Sequence, residues 1–286
     1  MRRATFLAGG LGLLASACAP SLATFNRFSP HDGGVRRVAK GAAFGPGPRQ
    51  KLDVCAPHSG AVGGLPVLIF IYGGSWDSGN RADYEFVGDA FASRGFLTLI
   101  PDYRVTPDVF PAFVEDAALA MKWGVDNARM YGGDPQRIVL VGHSAGAYNA
   151  MQAVLDPHYL RDVGGDARVI KGVVGLAGPY NFYPFDVAST RAAFGAYPDP
   201  QATQPIHFVR ADAPPLFLAW DADDALVGRQ NIVNMEAAIR AKGGQVETKI
   251  YPHVGHVALM LALSPVFRGR APVLADVTAF ARRVTA

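Results

Sequence analysis

A serine flanked by glycines stands directly after an apolar run, in the stretch VGHSAGAYNA (residues 141–150). The preceding RIVLV predicts a buried strand, and the alanine-rich residues that follow the serine predict a helix. Ser144 therefore lies where a strand turns sharply into a helix, and Gly142 and Gly146 supply the backbone freedom for that turn. A serine held in this way is exposed for nucleophilic attack.

A serine hydroxyl is a weak nucleophile at neutral pH, so this chemistry also needs a base and an acid that orients the base. Two later segments, each after a predicted strand, supply candidates. The segment AWDADDALV (219–227) holds three aspartates, and YPHVGHV (251–257) holds two histidines. The order serine, aspartate, histidine, with each residue on a loop after a strand, is the one that doubly wound hydrolases use.

Predicted strands and helices alternate along the chain, and most strands are continuous apolar runs. These strands are LPVLIFIYGG (65–74), GFLTLIPDYR (95–104), RIVLV (137–141), VIKGVVGLAG (169–178), PPLFLAW (214–220) and VETKIY (246–251). The segment KLDVCAP (51–57) alternates like an edge strand. Continuous apolar strands between helices predict a mostly parallel sheet covered on both faces. Residues 51–286 are thus predicted to form one α/β domain, and residues 19–50 an N-terminal linker or extension.

Taken together, these motifs resemble the α/β-hydrolase family, and in particular its bacterial carboxylesterases related to hormone-sensitive-lipase-like and kynurenine-formamidase-like enzymes. The matching pieces, in chain order, are YGGSW, PDYR, YGGDPQRIVLVGHSAGA, GLAGPY, DADD and VGHV. The resemblance covers roughly residues 51–285. It implies the α/β-hydrolase fold and a Ser-Asp-His triad in which Ser144 is the nucleophile.

The resemblance also implies which histidine is the base. His256 lies in VGHV, where the family keeps its catalytic histidine, and His253 is the competitor three residues earlier. His143, beside the nucleophile, is expected to pack under the turn.

The acid is assigned by counting along the family pattern H-G-x-x-D-x-x-V. Ala219 and Trp220 replace the His-Gly pair here, and the same count from Trp220 gives Asp223, with Leu226 at the valine position. Asp224 is the alternative.

An oxyanion hole needs backbone N–H groups aimed at the developing negative charge. Ala145 supplies one at the start of its helix. The resemblance places the others in YGGSW, where Gly74 and Ser75 are the favoured donors and Gly73 the alternative. Tyr72 replaces the family's usual histidine at the start of this loop.

Two further segments lie outside the proposed triad and oxyanion hole. Asp102 and Arg104 of PDYR are expected to form a structural ion pair or loop brace. The aromatic-rich segment 179–212 predicts either a wall of an apolar pocket or a surface loop that packs on its own aromatic side chains.

Composition narrows the class of protein. The chain has 286 residues, half of them hydrophobic, and a net charge of +3, which is too small to indicate nucleic-acid binding. Its two cysteines, Cys18 and Cys55, exclude a disulfide framework and match no zinc-site spacing. No metal or organic cofactor is implied.

The first residues, MRRATFLAGGLGLLASACAP, predict export. A basic start, a short apolar stretch and small residues are typical of a signal peptide, assigned here to residues 1–18. The ending LASAC resembles a bacterial lipobox, which predicts lipidation of Cys18 and a location in the periplasm or cell envelope, with possible anchoring to the membrane.

The expected activity is hydrolysis of small carboxylic esters with short acyl chains. The alternatives are an amidase or arylformamidase, or a non-catalytic, envelope-anchored binding protein, and the oligomeric state is open.

Overall fold

The computed structural model describes residues 21–59 and 64–286, and one eight-stranded sheet runs through this part of the chain. Its strands are β1 (Val35–Ala43), β2 (Lys51–Pro57), β3 (Leu65–Ile71), β4 (Leu97–Pro101), β5 (Gly133–His143), β6 (Ile170–Leu176), β7 (Leu216–Asp221) and β8 (Val246–Tyr251). They lie in the order β1-β2-β4-β3-β5-β6-β7-β8. The pairs β1–β2 and β2–β4 are antiparallel, and the other neighbours are parallel. The predicted mostly parallel sheet of an α/β-hydrolase fold is confirmed.

Helices cover both faces of this sheet. They are α1 (Leu22–Phe28), α2 (Glu85–Ala92), α3 (Ala112–Asn127), α4 (Ala145–Leu155), α5 (His158–Asp162), α6 (Ala188–Phe194), α7 (Gln230–Ala241), α8 (His256–Leu261) and α9 (Val273–Val284). On β6, Gly172 lies against Phe280 of α9, whereas Gly175 faces Ala147 of α4. Because these glycines are three residues apart on one strand, they face opposite sides of the sheet. Within the described ranges, no helix is long and apolar enough to cross a membrane.

The N-terminal linker or extension predicted over residues 19–50 contains α1 and β1 in its described part, and it therefore extends the folded domain. Helix α1 packs against the domain, and Asn26 donates a hydrogen bond of 2.9 Å to the Ala82 carbonyl. Strand β1 extends the sheet beyond β2, which is therefore a buried strand and not the edge. The strand was missed because an edge strand with one solvated face needs few large apolar residues, and VRRVAKGAA has only its two valines. The predicted signal peptide (residues 1–18) and Cys18 lie outside the described residues.

The parallel strands bring the candidate site residues to one edge of the sheet. The loop after β3, the turn after β5, and the loops after β7 and β8 all follow carboxyl ends of parallel strands. Strands β3 and β7 and the last six residues of β5 are almost completely buried, so they form a rigid base for the first three of these segments. In open α/β sheets, ligands bind outside this edge.

Candidate active site

Ser144 occupies a strained turn between β5 and α4. Its backbone has φ of 53° and ψ of −124°, and its N–H donates to the Leu176 carbonyl at 2.8 Å. The flanking glycines are required by close packing. A Cβ at Gly142 would lie 2.5 Å from the Ala147 Cα, and one at Gly146 would lie 2.1 Å from the Ile71 carbonyl oxygen. Such strain in a non-glycine residue persists only when its surroundings fix it, and it commonly marks a functional position.

His256 lies within hydrogen-bond distance of this serine. Its Nε2 is 2.9 Å from the Ser144 Oγ, and its side chain is largely buried. It is the first residue of α8, and Gly255 before it has φ of 88°, which lets the chain turn from β8 into this helix. The structure thus brings together the two residues that the sequence pairs as nucleophile and base.

The carboxylate that contacts His256 belongs to Asp224. Its Oδ2 lies 2.7 Å from the His256 Nδ1, and its side chain has no exposure to solvent. Asp223 instead contacts His253 at 2.6 Å, and both of those side chains are mostly exposed. The prediction that Asp223 orients His256 is therefore wrong, and the alternative, Asp224, occupies that position.

The error is a register shift of one residue, which the apolar residues of the loop explain. Trp220 donates its indole N–H to the Val227 carbonyl at 3.0 Å, and this bond closes the loop into a turn. Val227 is buried, whereas Leu226 is 74% exposed. The family's valine position is therefore filled by Val227, and three residues before it stands Asp224. The sequence did carry this signal, because Val227 is the only valine of AWDADDALV and a count backward from it gives Asp224. The count forward from Trp220 conflicts with it, and the structure resolves that conflict.

Asp224 is held as a carboxylate by its hydrogen bonds. Burial alone would favour the protonated form, but bonds from His256 and from the Val227 and Leu226 amides lower the pKa of Asp224 below its ordinary value of 3.8. The two amides donate to Oδ1 at 3.0 and 2.9 Å, which leaves Oδ2 for the imidazole. An ionised Asp224 keeps the proton of His256 on Nδ1 and leaves Nε2 free to accept the serine proton.

His143 packs under the turn, as expected. It is 4% exposed, and its Nε2 lies 3.0 Å from the His256 carbonyl oxygen. Burial, together with the nearby His256 ring, lowers the pKa of His143 to about 3, so it is neutral near pH 7 and donates this hydrogen bond. His143 thus positions the backbone of His256.

The loop after β3 approaches Ser144 closely. A Cβ at Gly73 would lie 2.9 Å from the Ser144 Cβ. The next three residues all have positive φ, namely 139° at Gly74, 51° at Ser75 and 61° at Trp76. Ser75 lines one cavity together with Ser144 and Ala145. The assignment of the Gly74, Ser75 and Ala145 N–H groups to an oxyanion hole stays a prediction, with Gly73 as the alternative donor.

A cavity of about 640 Å³ opens beside Ser144 and His256. Its aromatic wall is made by Trp76, Phe182 and Tyr183. Both interpretations of segment 179–212 have support. Phe182 and Tyr183 line the cavity, whereas the buried Phe194 packs on aromatic side chains of its own segment, with ring centroids 5.3 Å from Phe182 and 5.6 Å from Phe185.

Sequence analysis did not identify Asn231, which shapes this wall. It is 3% exposed on α7, and its Oδ1 accepts hydrogen bonds of 2.8 Å from the Tyr180 and Asn181 amides. It therefore fixes the start of the aromatic segment. An asparagine in a helix carries no signal of its own, because the segment that it binds is about fifty positions away in the sequence.

Asp102 and Arg104 both brace loops, but they do not pair with each other. Asp102 binds Arg81, which follows the β3 loop, and Arg104 binds Asp116 of α3 at 2.9 Å. Neither residue lines the cavity. In the described ranges, no group of three or more His, Cys, Asp or Glu side chains is arranged to hold a metal ion.

Comparison with known proteins finds relatives among esterases. The family model described as BD-FAE matches residues 52–239. The chain is 30% identical over 238 residues to esterase LipC of Mycobacterium tuberculosis, and 27% identical over 249 residues to isoprenylcysteine alpha-carbonyl methylesterase ICME of Arabidopsis thaliana. These alignments cover 74% and 79% of this chain. They span 58% of each relative, which is less than two thirds of its length.

Among solved structures, esterase B from Lactobacillus Rhamnosis superposes with a TM-score of 0.75. The superposition covers 90% of this chain and 88% of that protein, at 18% sequence identity. At this identity the likeness shows a shared fold.

Proposed function

This chain belongs to the BD-FAE family, and on that premise we propose that it is a serine hydrolase that cleaves carboxylic esters. Its nucleophile is Ser144, its general base is His256, and the acid that orients the base is Asp224. The observation that carries the proposal is one hydrogen-bonded chain, in which Ser144 Oγ lies 2.9 Å from His256 Nε2 and His256 Nδ1 lies 2.7 Å from Asp224 Oδ2. Its relatives LipC and ICME, both named as esterases, support the same reaction.

The reaction passes through an acyl-enzyme. Ser144 Oγ attacks the ester carbonyl carbon while His256 Nε2 takes the hydroxyl proton. The C–O bond to the alcohol then breaks, and His256 gives that proton to the departing alkoxide. Water enters, loses a proton to His256 and attacks the acyl carbon. Breakdown of this second intermediate releases the acid and returns the proton to Ser144.

The negative charge on the carbonyl oxygen is stabilised by backbone donors. We assign the N–H groups of Gly74, Ser75 and Ala145 to this role, because the first two lie on the loop that approaches Ser144 and the third begins α4. A helix N-terminus carries partial positive charge, which favours an anion there. Loss of one such donor costs on the order of 100-fold in turnover.

Short acyl chains are the proposed substrates. The aromatic wall of the cavity is backed by packed rings, since Trp76 contacts Phe194 at 4.8 Å and Tyr148 at 5.3 Å between ring centroids. A wall of this kind has little freedom to open for a long chain.

We also propose that the chain is exported and lipidated at Cys18. The support is the sequence alone: a basic start, an apolar stretch and the lipobox-like LASAC.

A panel of p-nitrophenyl esters, from acetate to palmitate, tests the proposed reaction. We expect short-chain esters to be hydrolysed best, and Ser144→Ala to lower kcat by at least about 10,000-fold. Ser189→Ala is the matched control, because Ser189 lines the same cavity outside the hydrogen-bonded chain. A folded wild-type protein without activity on any ester, or a Ser144→Ala variant with full activity, would overturn the proposal.

A further inference from the structure

We propose that the Tyr72 phenol and the Asp102 carboxylate form a clasp that positions the loop of residues 73–79 for oxyanion binding. The inference rests on the proposed ester hydrolysis, because the loop acts on the charge that this reaction develops beside Ser144. Neither clasp residue touches that charge, so both are positioning residues.

The loop needs external support because its backbone is strained. Positive φ at Ser75 and Trp76 is unfavourable for residues with a Cβ, and each such residue costs about 1–3 kcal/mol. Within the loop, the Asp77 and Ser78 amides donate to the Gly74 carbonyl at 3.0 and 3.1 Å. These bonds close a turn, but they do not fix where the turn lies relative to Ser144.

One carboxylate oxygen joins the two ends of the loop. The Tyr72 hydroxyl, before the loop, donates to the Asp102 Oδ1 at 2.7 Å. The Arg81 amide, after the loop, donates to the same oxygen at 2.7 Å. The Arg81 guanidinium pairs with the other oxygen of Asp102. Asp102 therefore fixes the separation of the loop ends through two bonds of equal length.

The Tyr72 ring supports the same loop by contact. A Cβ at Gly79 would lie 2.5 Å from the ring, so the far end of the loop rests directly on it. Arg49 donates to the Tyr72 hydroxyl at 3.1 Å and to the Gly79 carbonyl at 2.7 Å. The Tyr72 ring also stacks on Tyr84 with ring centroids 4.9 Å apart. Burial raises the pKa of Tyr72 above its ordinary value of 10, so the phenol remains a hydrogen-bond donor.

A small movement of this loop would change the proposed oxyanion donors, because Gly73 already lies against Ser144. Removal of one donor costs about 100- to 1,000-fold in kcat. Removal of the clasp displaces the donors and does not delete them, so we expect a smaller loss. That loss belongs to kcat, since the oxyanion forms only in the transition state.

Tyr72→Phe tests the clasp, because phenylalanine keeps the ring and loses only the hydroxyl. With p-nitrophenyl acetate, we expect kcat to fall about 10- to 100-fold while KM changes less than about threefold. The Ki of an alkyl trifluoromethyl ketone, which forms an oxyanion on the enzyme, should rise by the factor that kcat/KM loses. Tyr251→Phe is the matched control. The Tyr251 hydroxyl also donates to a carboxylate at 2.7 Å, in this case Asp276 on α9. Loss of the Tyr251 hydroxyl should leave kcat and Ki unchanged.

A folded Tyr72→Phe variant with wild-type kcat would overturn the clasp, as would a loss confined to KM or an equal loss in Tyr251→Phe. If urea unfolding shows that Tyr72→Phe does not fold, Asp102→Ala takes its place, because it removes the acceptor that the Tyr72 hydroxyl and the Arg81 amide share. That substitution should lower kcat and leave KM nearly unchanged; a wild-type kcat in the folded variant would then overturn the proposal. Absence of Ser144-dependent hydrolysis in the wild type is a different result, which rejects the proposed function and the clasp with it.

Discussion

The wild-type protein is expected to become less stable as the pH falls from about 7.5 to about 5, and replacing His143 by glutamine should abolish this loss of stability. His143 is buried, and its Nε2 bonds to the His256 carbonyl oxygen at 3.0 Å. A glutamine amide can donate the same hydrogen bond but does not titrate. The substitution therefore removes the titration and keeps the main polar contact.

The expected magnitude follows from the pKa of His143. Burial and the neighbouring His256 lower that pKa from 6.5 to about 3. Between these values the unfolded chain binds a proton that the folded protein does not, so the free energy of unfolding falls as the pH falls. The loss is negligible at about pH 7.5 and reaches about 2 kcal/mol at about pH 5. Asp224 is the other charged group near His143, and its pKa lies below 3.8, so its contribution is lost only at lower pH.

Urea unfolding at a series of pH values measures this difference. Wild type and His143→Gln share every other titrating group. The difference between their free energies of unfolding therefore changes with pH only through the titration of His143. We expect the wild type to lose about 2 kcal/mol more than the variant over this range. Parallel curves for the two proteins would refute the conclusion that His143 is held neutral.

Two other substitutions test the turn and the N-terminus. Gly146→Ala is expected to cost about 3 kcal/mol or more of unfolding free energy, because its Cβ would lie 2.1 Å from the Ile71 carbonyl oxygen. Gly269→Ala, where a Cβ has open space, is the matched control, and equal urea midpoints for the two variants would contradict this account. In cells, labelled palmitate should enter the wild-type protein and not Cys18→Ser; failure to label the wild type, or equal labelling of both, would reject lipidation of Cys18.

The sequence predicts the parts of the fold and site that depend on local pattern. Continuous apolar strands predict the parallel sheet, and Gly142 and Gly146 predict the sharp turn at Ser144, because both signals lie within a few residues of the feature. The contact between Ser144 and His256 was also predictable, since each residue follows a parallel strand and these loops meet at one edge.

Features whose sequence signals conflict or are weak could not be predicted. The count from Trp220 gives Asp223 and the count back from Val227 gives Asp224, and only the burial of Val227 and its bond from Trp220 decide between them. Strand β1 was missed because its signal is weak. Its residues carry little apolar signal, and its place in the sheet comes from pairing with β2.

The proposed triad is tested most directly by kcat for p-nitrophenyl acetate in Asp224→Asn and its matched control Asp223→Asn. The two substitutions make the same chemical change at neighbouring positions, but only Asp224 contacts His256. Asparagine at position 224 would present the wrong partner to Nδ1, so kcat should fall by about 10,000-fold. Asp223→Asn should retain kcat within about threefold of the wild type, since its exposed bond to His253 is not part of the chain of bonds that joins Ser144, His256 and Asp224. The opposite pattern, or equal losses in the two variants, would contradict the assignment of Asp224.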